Sequence, residues 1–154
     1  MKIVSLLPSS TEIVCKLGFR ENLVGVSHEC DYPLSVKDLP ILTKPRFSPI
    51  ESSQKIDNSV QDLLKKGLSV YEVNTDLLKK LAPDLIITQA QCEACAVSLN
   101  DVKEVVSDWV GNKPDIVSLE PNYLGEVWSD FEKVGEKLNC TDSYLKFKSE
   151  IEQR

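Results

Sequence analysis

The sequence predicts an α/β fold, a single lobe with a mainly parallel sheet flanked by helices. Short apolar runs that suit buried strands alternate along the chain with segments whose apolar residues have helical spacing. Such alternation is typical of βαβ units in a parallel sheet. The 154 residues, 42% of them hydrophobic, suit one domain with a core of its own.

The expected elements follow in chain order. Strands are predicted at the short apolar runs, over 3–7, 23–26, 70–73, 84–88 and 116–119, with 41–42 as a further candidate in the proline-punctuated connection 33–49. Helices are predicted where apolar residues recur at helical spacing, over 9–17, 53–66, 75–82, 97–109, 123–138 and 142–154.

Several helix boundaries have their own signals. Ser9 and Glu12 fit a capping box, in which a side chain and the backbone satisfy each other. Gly18 and Gly67 tolerate the positive φ of a helix end, and Pro83 terminates the short third helix. These signals support the element order above.

Composition narrows the class of function. The net charge is −6, with acidic and basic residues interspersed, so no nucleic-acid partner is expected. No apolar run approaches the ~20 residues of a membrane span, so no membrane insertion is expected. The N-terminal apolar run is about five residues, shorter than the ~7–15 of a signal peptide. We therefore expect a cytoplasmic protein, in which five cysteines favour metal, redox or ligand chemistry over disulfides.

Two loops concentrate the reactive side chains. Each follows a predicted strand, so both should leave the sheet at its carboxyl edge, where open α/β folds bind ligands. The first loop, 27–33, contains the single histidine; the second, 89–95, contains a Cys-x-x-Cys pair. The candidate ligand-binding residues in the two loops are His28, Glu29, Cys30, Tyr32, Gln91, Cys92, Glu93 and Cys95.

The soft ligands in these loops allow three interpretations. His28, Cys30, Cys92 and Cys95 would together form a Cys3His set suited to zinc or iron. The two cysteines of the second loop, at a helix entry, could instead form a redox dithiol. In the third interpretation the cysteines are structural or only contact a ligand.

Other candidate ligand-binding residues lie at the same predicted edge. Ser9, Ser10 and Thr11 open a helix whose free N–H groups would suit a phosphate or carboxylate, although helix capping also explains them. Arg46 could contact an anionic ligand group or decorate the surface, and Glu120 could accept from ligand amides. The sequence contains no P-loop, dinucleotide-binding glycine turn or nucleophile elbow, so an enzyme is not expected.

Several segments resemble one known family. Two stretches are similar to the helical-backbone (class III) periplasmic-binding-protein-like family, in its iron-siderophore and vitamin B12 group. They are Lys2-Ile3-Val4-Ser5-Leu6-Leu7-Pro8-Ser9-Ser10-Thr11-Glu12-Ile13-Val14 and Leu81-Ala82-Pro83-Asp84-Leu85-Ile86-Ile87. Segments 28–33 and 91–98, which overlap the two loops, resemble the cobalamin-binding branch.

The resemblance implies a non-catalytic ligand-binding domain like the substrate-binding proteins of ABC transporters, for cobalamin or a metal chelate. It implies that residues 1–154 form the N-terminal lobe, that 142–154 begin the inter-lobe spine helix, and that the second lobe is absent. A homodimer or a separate partner would then supply the other wall of the cleft.

Within that resemblance His28 could be an axial ligand to the cobalt of a corrinoid, with Tyr32 against the ring. The alternative function is a metal-binding or thiol redox sensor protein that uses Cys30, Cys92, Cys95 and His28. A structural remnant that binds only a partner protein is a third hypothesis.

Overall fold

The computed structural model describes residues 1–66, 69–90, 97, 99–107, 109 and 113–153. Its regular elements, in chain order, are β1 (Ile3–Ser5), α1 (Pro8–Lys16), β2 (Leu23–Val26), β3 (Thr43–Pro45), α2 (Ser53–Lys65), β4 (Tyr71–Val73), α3 (Thr75–Leu81), β5 (Leu85–Gln89), α4 (Leu99–Ser107), β6 (Asp115–Leu119), α5 (Leu124–Lys137) and α6 (Thr141–Glu152). This order confirms the predicted α/β class.

Four strands form a parallel sheet in the order β2-β1-β5-β6. In β1, Ile3 pairs with Leu23 on one side and with Leu85 on the other. Because β1 and β5 are buried on both faces, their sequences are continuous apolar runs rather than alternating patterns. All four strands point the same way, so their carboxyl ends share one edge.

A separate ribbon of β3 and β4 is antiparallel, with Thr43 opposite Val73. The sequence predicted β4 but offered only residues 41–42 as extended within the connection 33–49, so it missed β3. Pro45 ends β3 at its pairing with Tyr71, and a proline without an N–H weakens any strand prediction from sequence. The candidate extended residue Ile41 makes only an isolated bridge to Val26.

The two faces of the parallel sheet have separate cores. Side chains alternate between faces along each strand. One core joins the sheet to α1, α5 and α6 and includes the buried residues Ile3, Ile87, Val117, Val14, Val134 and Tyr144. The other joins it to α3 and α4 and includes Val4, Ile86, Leu78, Val102 and Val106.

The helix termini agree only in part with the sequence signals. The capping box at α1 is wrong: the N-cap residue is Leu7, without a side-chain cap, because Pro8 occupies the first helical turn. Gly18 follows α1 with φ of 91°, as predicted. The Asn74 side chain accepts from the Leu77 N–H at 3.0 Å and caps α3. Of the helices that the structure describes, none has both the length and the apolar character needed to cross a membrane.

Candidate functional site

The carboxyl edge of the parallel sheet is the candidate site. The first loop leaves β2 at this edge, as predicted, and the second leaves β5. Because β1 lies between them, the two loops start two strand spacings apart, each about 4.8 Å. Residues 91–96 lie outside the described residues, so the predictions for Gln91, Cys92, Glu93 and Cys95 stay predictions. Among the residues described, no group of three or more His, Cys, Asp or Glu could hold a metal ion.

A buried cluster of hydroxyls and one thiol lies beneath the edge. The Ser5 Oγ is 2.5 Å from the Ser10 Oγ, and the Thr11 hydroxyl donates to Ser5 at 2.7 Å. The Thr11 Oγ1 is also 3.1 Å from the Cys30 Sγ. All four side chains are buried. The cluster therefore joins β1, α1 and the first loop.

Burial sets the chemistry of this thiol. Desolvation raises the pKa of Cys30 above its ordinary value, against smaller opposing effects of hydrogen bonds from Thr11 and Ser27. A thiol that stays protonated near neutral pH is a weak nucleophile and a weak metal ligand. The geometry thus favours a structural interpretation of Cys30 over the metal and redox interpretations.

Thr43 fixes the orientation of His28. Its Oγ1 is 3.0 Å from the His28 backbone nitrogen and 2.7 Å from the ring Nδ1, while its own hydroxyl donates to the Ser27 Oγ at 3.0 Å. A hydroxyl has one proton, so the Thr43 oxygen accepts from Nδ1–H of the ring. In the neutral form of the imidazole this places the lone pair on Nε2, the atom that a ligand or a metal would contact.

The Leu42 side chain packs directly on the backbone of β2 and so holds Thr43 against the first loop. A Cβ on Gly25, in β2, would lie only 2.6 Å from the Leu42 Cδ1. Glycine therefore lets this segment pack on β2, where the Leu42 N–H donates to the Val26 carbonyl at 2.9 Å. The resulting alignment of this segment with β2 places the Thr43 hydroxyl within hydrogen-bond distance of Ser27 and His28.

Tyr71 is a site residue that the sequence reasoning missed. Its ring lies 5.2 Å from the His28 ring, centroid to centroid, tilted by 50°. Its hydroxyl donates to the Glu29 Oε1 at 3.2 Å. Burial, and then the Glu29 charge, raise the pKa of Tyr71, so the phenol stays protonated at neutral pH. The one available signal was an aromatic residue in a predicted strand, which by itself indicates packing.

The β3–β4 ribbon adds charged groups beside this cluster. Glu72 accepts from the Lys44 Nζ at 2.6 Å and the Arg46 Nη1 at 3.3 Å. The pKa of Glu72 is lowered mainly by the hydrogen bond from Lys44, and further by the positive charges of Lys44 and Arg46. Arg46 is thus anchored by Glu72 while still exposed, so an anionic ligand group could contact it.

The remaining predicted residues divide by exposure. Ser10, Thr11 and Cys30 are buried, and their side chains bond within the cluster described above. The exposed ones are Ser9, Glu29, Tyr32, Arg46 and Glu120. The structure brings His28 and Glu29 together around Tyr71 and Thr43.

Both the sequence and the fold of this chain are similar to those of known proteins. The profile of a family described as "Periplasmic binding protein" matches residues 3–154. Among curated proteins, none matches the sequence at a significant level. The solved structures described below are 18–23% identical to this chain, so they show the fold alone.

Three solved structures illustrate the likeness, and 99% of this chain is covered in each. One is described as a possible iron-binding, periplasmic solute-binding protein of Staphylococcus epidermidis, with a TM-score of 0.68, 23% identity and 47% of its length covered. A periplasmic haem-binding protein of Pseudomonas aeruginosa has values of 0.67, 21% and 43%. A periplasmic vitamin B12 binding protein of Vibrio cholerae has values of 0.66, 18% and 48%. The chain therefore spans about half the length of these structures.

These findings confirm two predictions and correct a third. The fold class is confirmed, and a family of binding proteins bears out the expectation that the protein is not an enzyme. The cytoplasmic prediction is wrong, because the family and its neighbours are periplasmic. The apolar run used for that prediction is strand β1, whose burial in the sheet carries no information about compartment.

Proposed function

We propose that this chain, which belongs to the periplasmic binding protein family, contributes one wall of a site for a metal chelate with an open axial position. A corrinoid or another tetrapyrrole is the ligand class in question. His28 and Tyr71, at the carboxyl edge of the sheet, would contact it, and His28 Nε2 would reach the metal. The observation that carries the proposal is the fixed orientation of the His28 ring.

The His28 geometry supports metal ligation for a specific reason. A metal ligand must present an unprotonated nitrogen, and a hydrogen bond from the other ring nitrogen is what usually selects it. Thr43 supplies that bond here without using Nε2. A rigid ring also loses little rotational freedom when the ligand binds.

The surroundings of His28 suit a flat ligand. Tyr71 offers an aromatic face beside the imidazole, and Tyr32 is an exposed aromatic residue of the same loop. Arg46 offers a cation for the carboxylate or phosphate groups that tetrapyrroles carry on their periphery. Names of structural neighbours, which include haem and vitamin B12 binding proteins, are consistent with this ligand class.

The proposal extends to the architecture of the cleft. Residues 1–154 would act as one lobe, with α6 as the beginning of a helix that connects it to a second wall. That wall could come from a second lobe, a second copy of the chain or another protein. A single wall buries less ligand surface than a closed cleft, so the isolated chain should bind weakly. An ABC transporter would be the partner of the assembled protein.

A spectroscopic titration tests the proposal. The chain would be titrated with aquocobinamide and, separately, with iron protoporphyrin, whose visible spectra respond when an imidazole replaces an axial water. We expect a spectral shift with at least one of them below about 100 µM, an affinity within reach of a partial site. His28→Ala should abolish the shift.

Matched controls sharpen this titration. Tyr123→Phe removes the hydroxyl of an exposed tyrosine that follows β6, at the opposite end of the sheet edge from the first loop, and should change nothing. Tyr71→Phe, in contrast, should weaken binding. If neither chelate shifts its spectrum, or if His28→Ala leaves the shift intact, the proposed site is wrong.

A further inference from the structure

A cavity lies at the β5–β6 end of the same sheet edge, away from the first loop. Its volume is about 350 Å³, and α1, α5, α6 and the ends of β5 and β6 enclose it. The apolar part of its wall consists of Leu7, Ile13, Leu119, Val127, Phe131 and Phe147. It adjoins the candidate site through Ser9, but neither His28 nor Tyr71 lines it.

Asp130 is the unusual polar residue in this wall. It lies on α5 and is only 3% exposed. Its Oδ1 accepts from the Lys133 Nζ at 2.8 Å, while Oδ2 is buried and has no hydrogen-bond partner within the part of the chain that the structure describes. An ionised carboxylate can only accept hydrogen bonds, so this oxygen lacks a donor. Buried acceptors of this kind are rare in folded proteins and call for an explanation.

The side chains of the cavity wall do not supply that donor. The polar residues of its wall besides Asp130 are Ser9, Glu12, Lys16 and Gln89, and none of them is a hydrogen-bond partner of Oδ2. Rotation about the last torsion of an aspartate is soft, so a small turn of the carboxylate would direct Oδ2 into the cavity. A donor bound there would satisfy it.

The charges and walls define the chemistry of this ligand. A charged N–H donor makes a stronger bond to a carboxylate than a neutral one does. The charged residues of the wall are Glu12, Asp130 and Lys16, two acidic against one basic, so an anionic ligand is disfavoured. The rings of Phe131 and Phe147 stack with centroids 5.2 Å apart, which leaves an aromatic wall for an apolar body.

We propose that this cavity is a second binding site, which takes a small organic amine with an apolar, preferably aromatic, body. The ammonium group donates to Asp130, and the body fills the space between α1, α5 and α6. This site is independent of the metal chelate proposed above, since it uses neither His28 nor Tyr71.

A comparison of three probes of similar shape tests the chemistry. Phenethylamine carries the ammonium, 3-phenylpropionate replaces it with a carboxylate, and ethylbenzene has no polar group. Nuclear magnetic resonance titration of the isotope-labelled chain should show saturable shifts with phenethylamine at about 1 mM or below, centred on residues of α1, α5 and α6 and the ends of β5 and β6. The carboxylate should bind at least tenfold more weakly.

Variants then assign the site. Asp130→Asn should weaken phenethylamine binding at least tenfold. Asp115→Asn is the matched control, because Asp115 also pairs with a lysine but is 69% exposed on the surface, and it should leave binding unchanged. Val127→Trp, which fills the cavity from a half-buried helix position, should abolish binding even if Asp130→Asn proves unstable.

Three results would overturn the proposal. The first is the absence of phenethylamine binding by the unaltered chain at about 10 mM, well above the range given by ordinary weak sites. The second is equal affinity for phenethylamine and 3-phenylpropionate. The third is a set of shifts that maps away from α1, α5 and α6.

Discussion

The two ends of the sheet edge differ in how completely their polar side chains are hydrogen-bonded. On the β2 side, Thr43, Ser27, His28 and their neighbours bond to one another, so each ring and hydroxyl has a defined direction. On the β6 side, Asp130 has one oxygen paired with Lys133, and its other oxygen, beside the cavity, has no partner among the described residues. A satisfied network is rigid before any ligand arrives, whereas an unsatisfied group is completed by one. The comparison suggests a preformed metal-directed site and a site that depends on its occupant.

The largest effect is expected from a substitution in the core of the sheet, which should destabilise the fold and with it both ends of the edge. Ile87 lies in β5, is fully buried, and packs in the core that α1, α5 and α6 share. Ile87→Ala should lower the free energy of unfolding by about 2–5 kcal/mol, because it removes buried methyl groups and leaves a cavity. Urea denaturation would measure it. Leu124→Ala, at a 72% exposed helix residue, is the control and should cost less than about 0.5 kcal/mol.

A second substitution should weaken binding only at the β2 end of the edge, where the hydrogen bonds around His28 are already formed. Thr43→Val keeps the shape of the side chain but removes the oxygen that fixes His28. Affinity for the metal chelate should fall about 10–100-fold, as is typical when the group that orients a metal-binding histidine is lost. Phenethylamine binding should be unaffected. Thr75→Val, at an exposed position, is the control; equal affinities for the chelate in the two variants would contradict the role given to Thr43.

A smaller effect is expected from neighbouring serines that differ in burial. Ser10→Ala removes one hydroxyl from the buried cluster and should cost about 0.5–1.5 kcal/mol of unfolding free energy. Ser9→Ala, one residue earlier and exposed, should be nearly neutral. Chemical denaturation of both variants compares them directly. A similar cost for both would mean that the hydroxyl cluster contributes little.

The smallest expected effect concerns pH. Burial raises the pKa of Cys30 in the folded chain above that of the unfolded chain, which is close to 9.0. As pH rises through the unfolded value, the unfolded chain loses the thiol proton first, so stability should fall between pH 8 and about 10. Cys30→Ala should reduce that fall. Urea midpoints of the two proteins across this range give the comparison, and parallel curves would show that Cys30 does not contribute.

The sequence was most informative where one element determines its own structure. Apolar runs and boundary residues such as Gly18 and Pro83 located the strands and helices, and parallel strands then placed the first loop at the carboxyl edge. These features depend on local periodicity and on residue types with strong conformational preferences.

The site itself depends on contacts between distant parts of the chain. Tyr71 reaches Glu29 across 42 positions of sequence, through a ribbon whose strands have three residues each. Such short strands carry almost no periodicity, so neither Tyr71 nor Thr43 could be assigned to the site from sequence. Asp130 was equally hidden, since a charged residue within a helix is ordinarily predicted to face solvent.

The single hydroxyl proton of Thr43 has a consequence for the thermodynamics of binding. Because it directs the imidazole proton to Nδ1, a metal that arrives at Nε2 finds the lone pair already there. A neutral imidazole releases no proton to a metal in either tautomer, but a ring with its proton on Nε2 must first move that proton to Nδ1, at a cost in free energy. Thr43 meets that cost during folding, so it does not weaken the affinity for the metal.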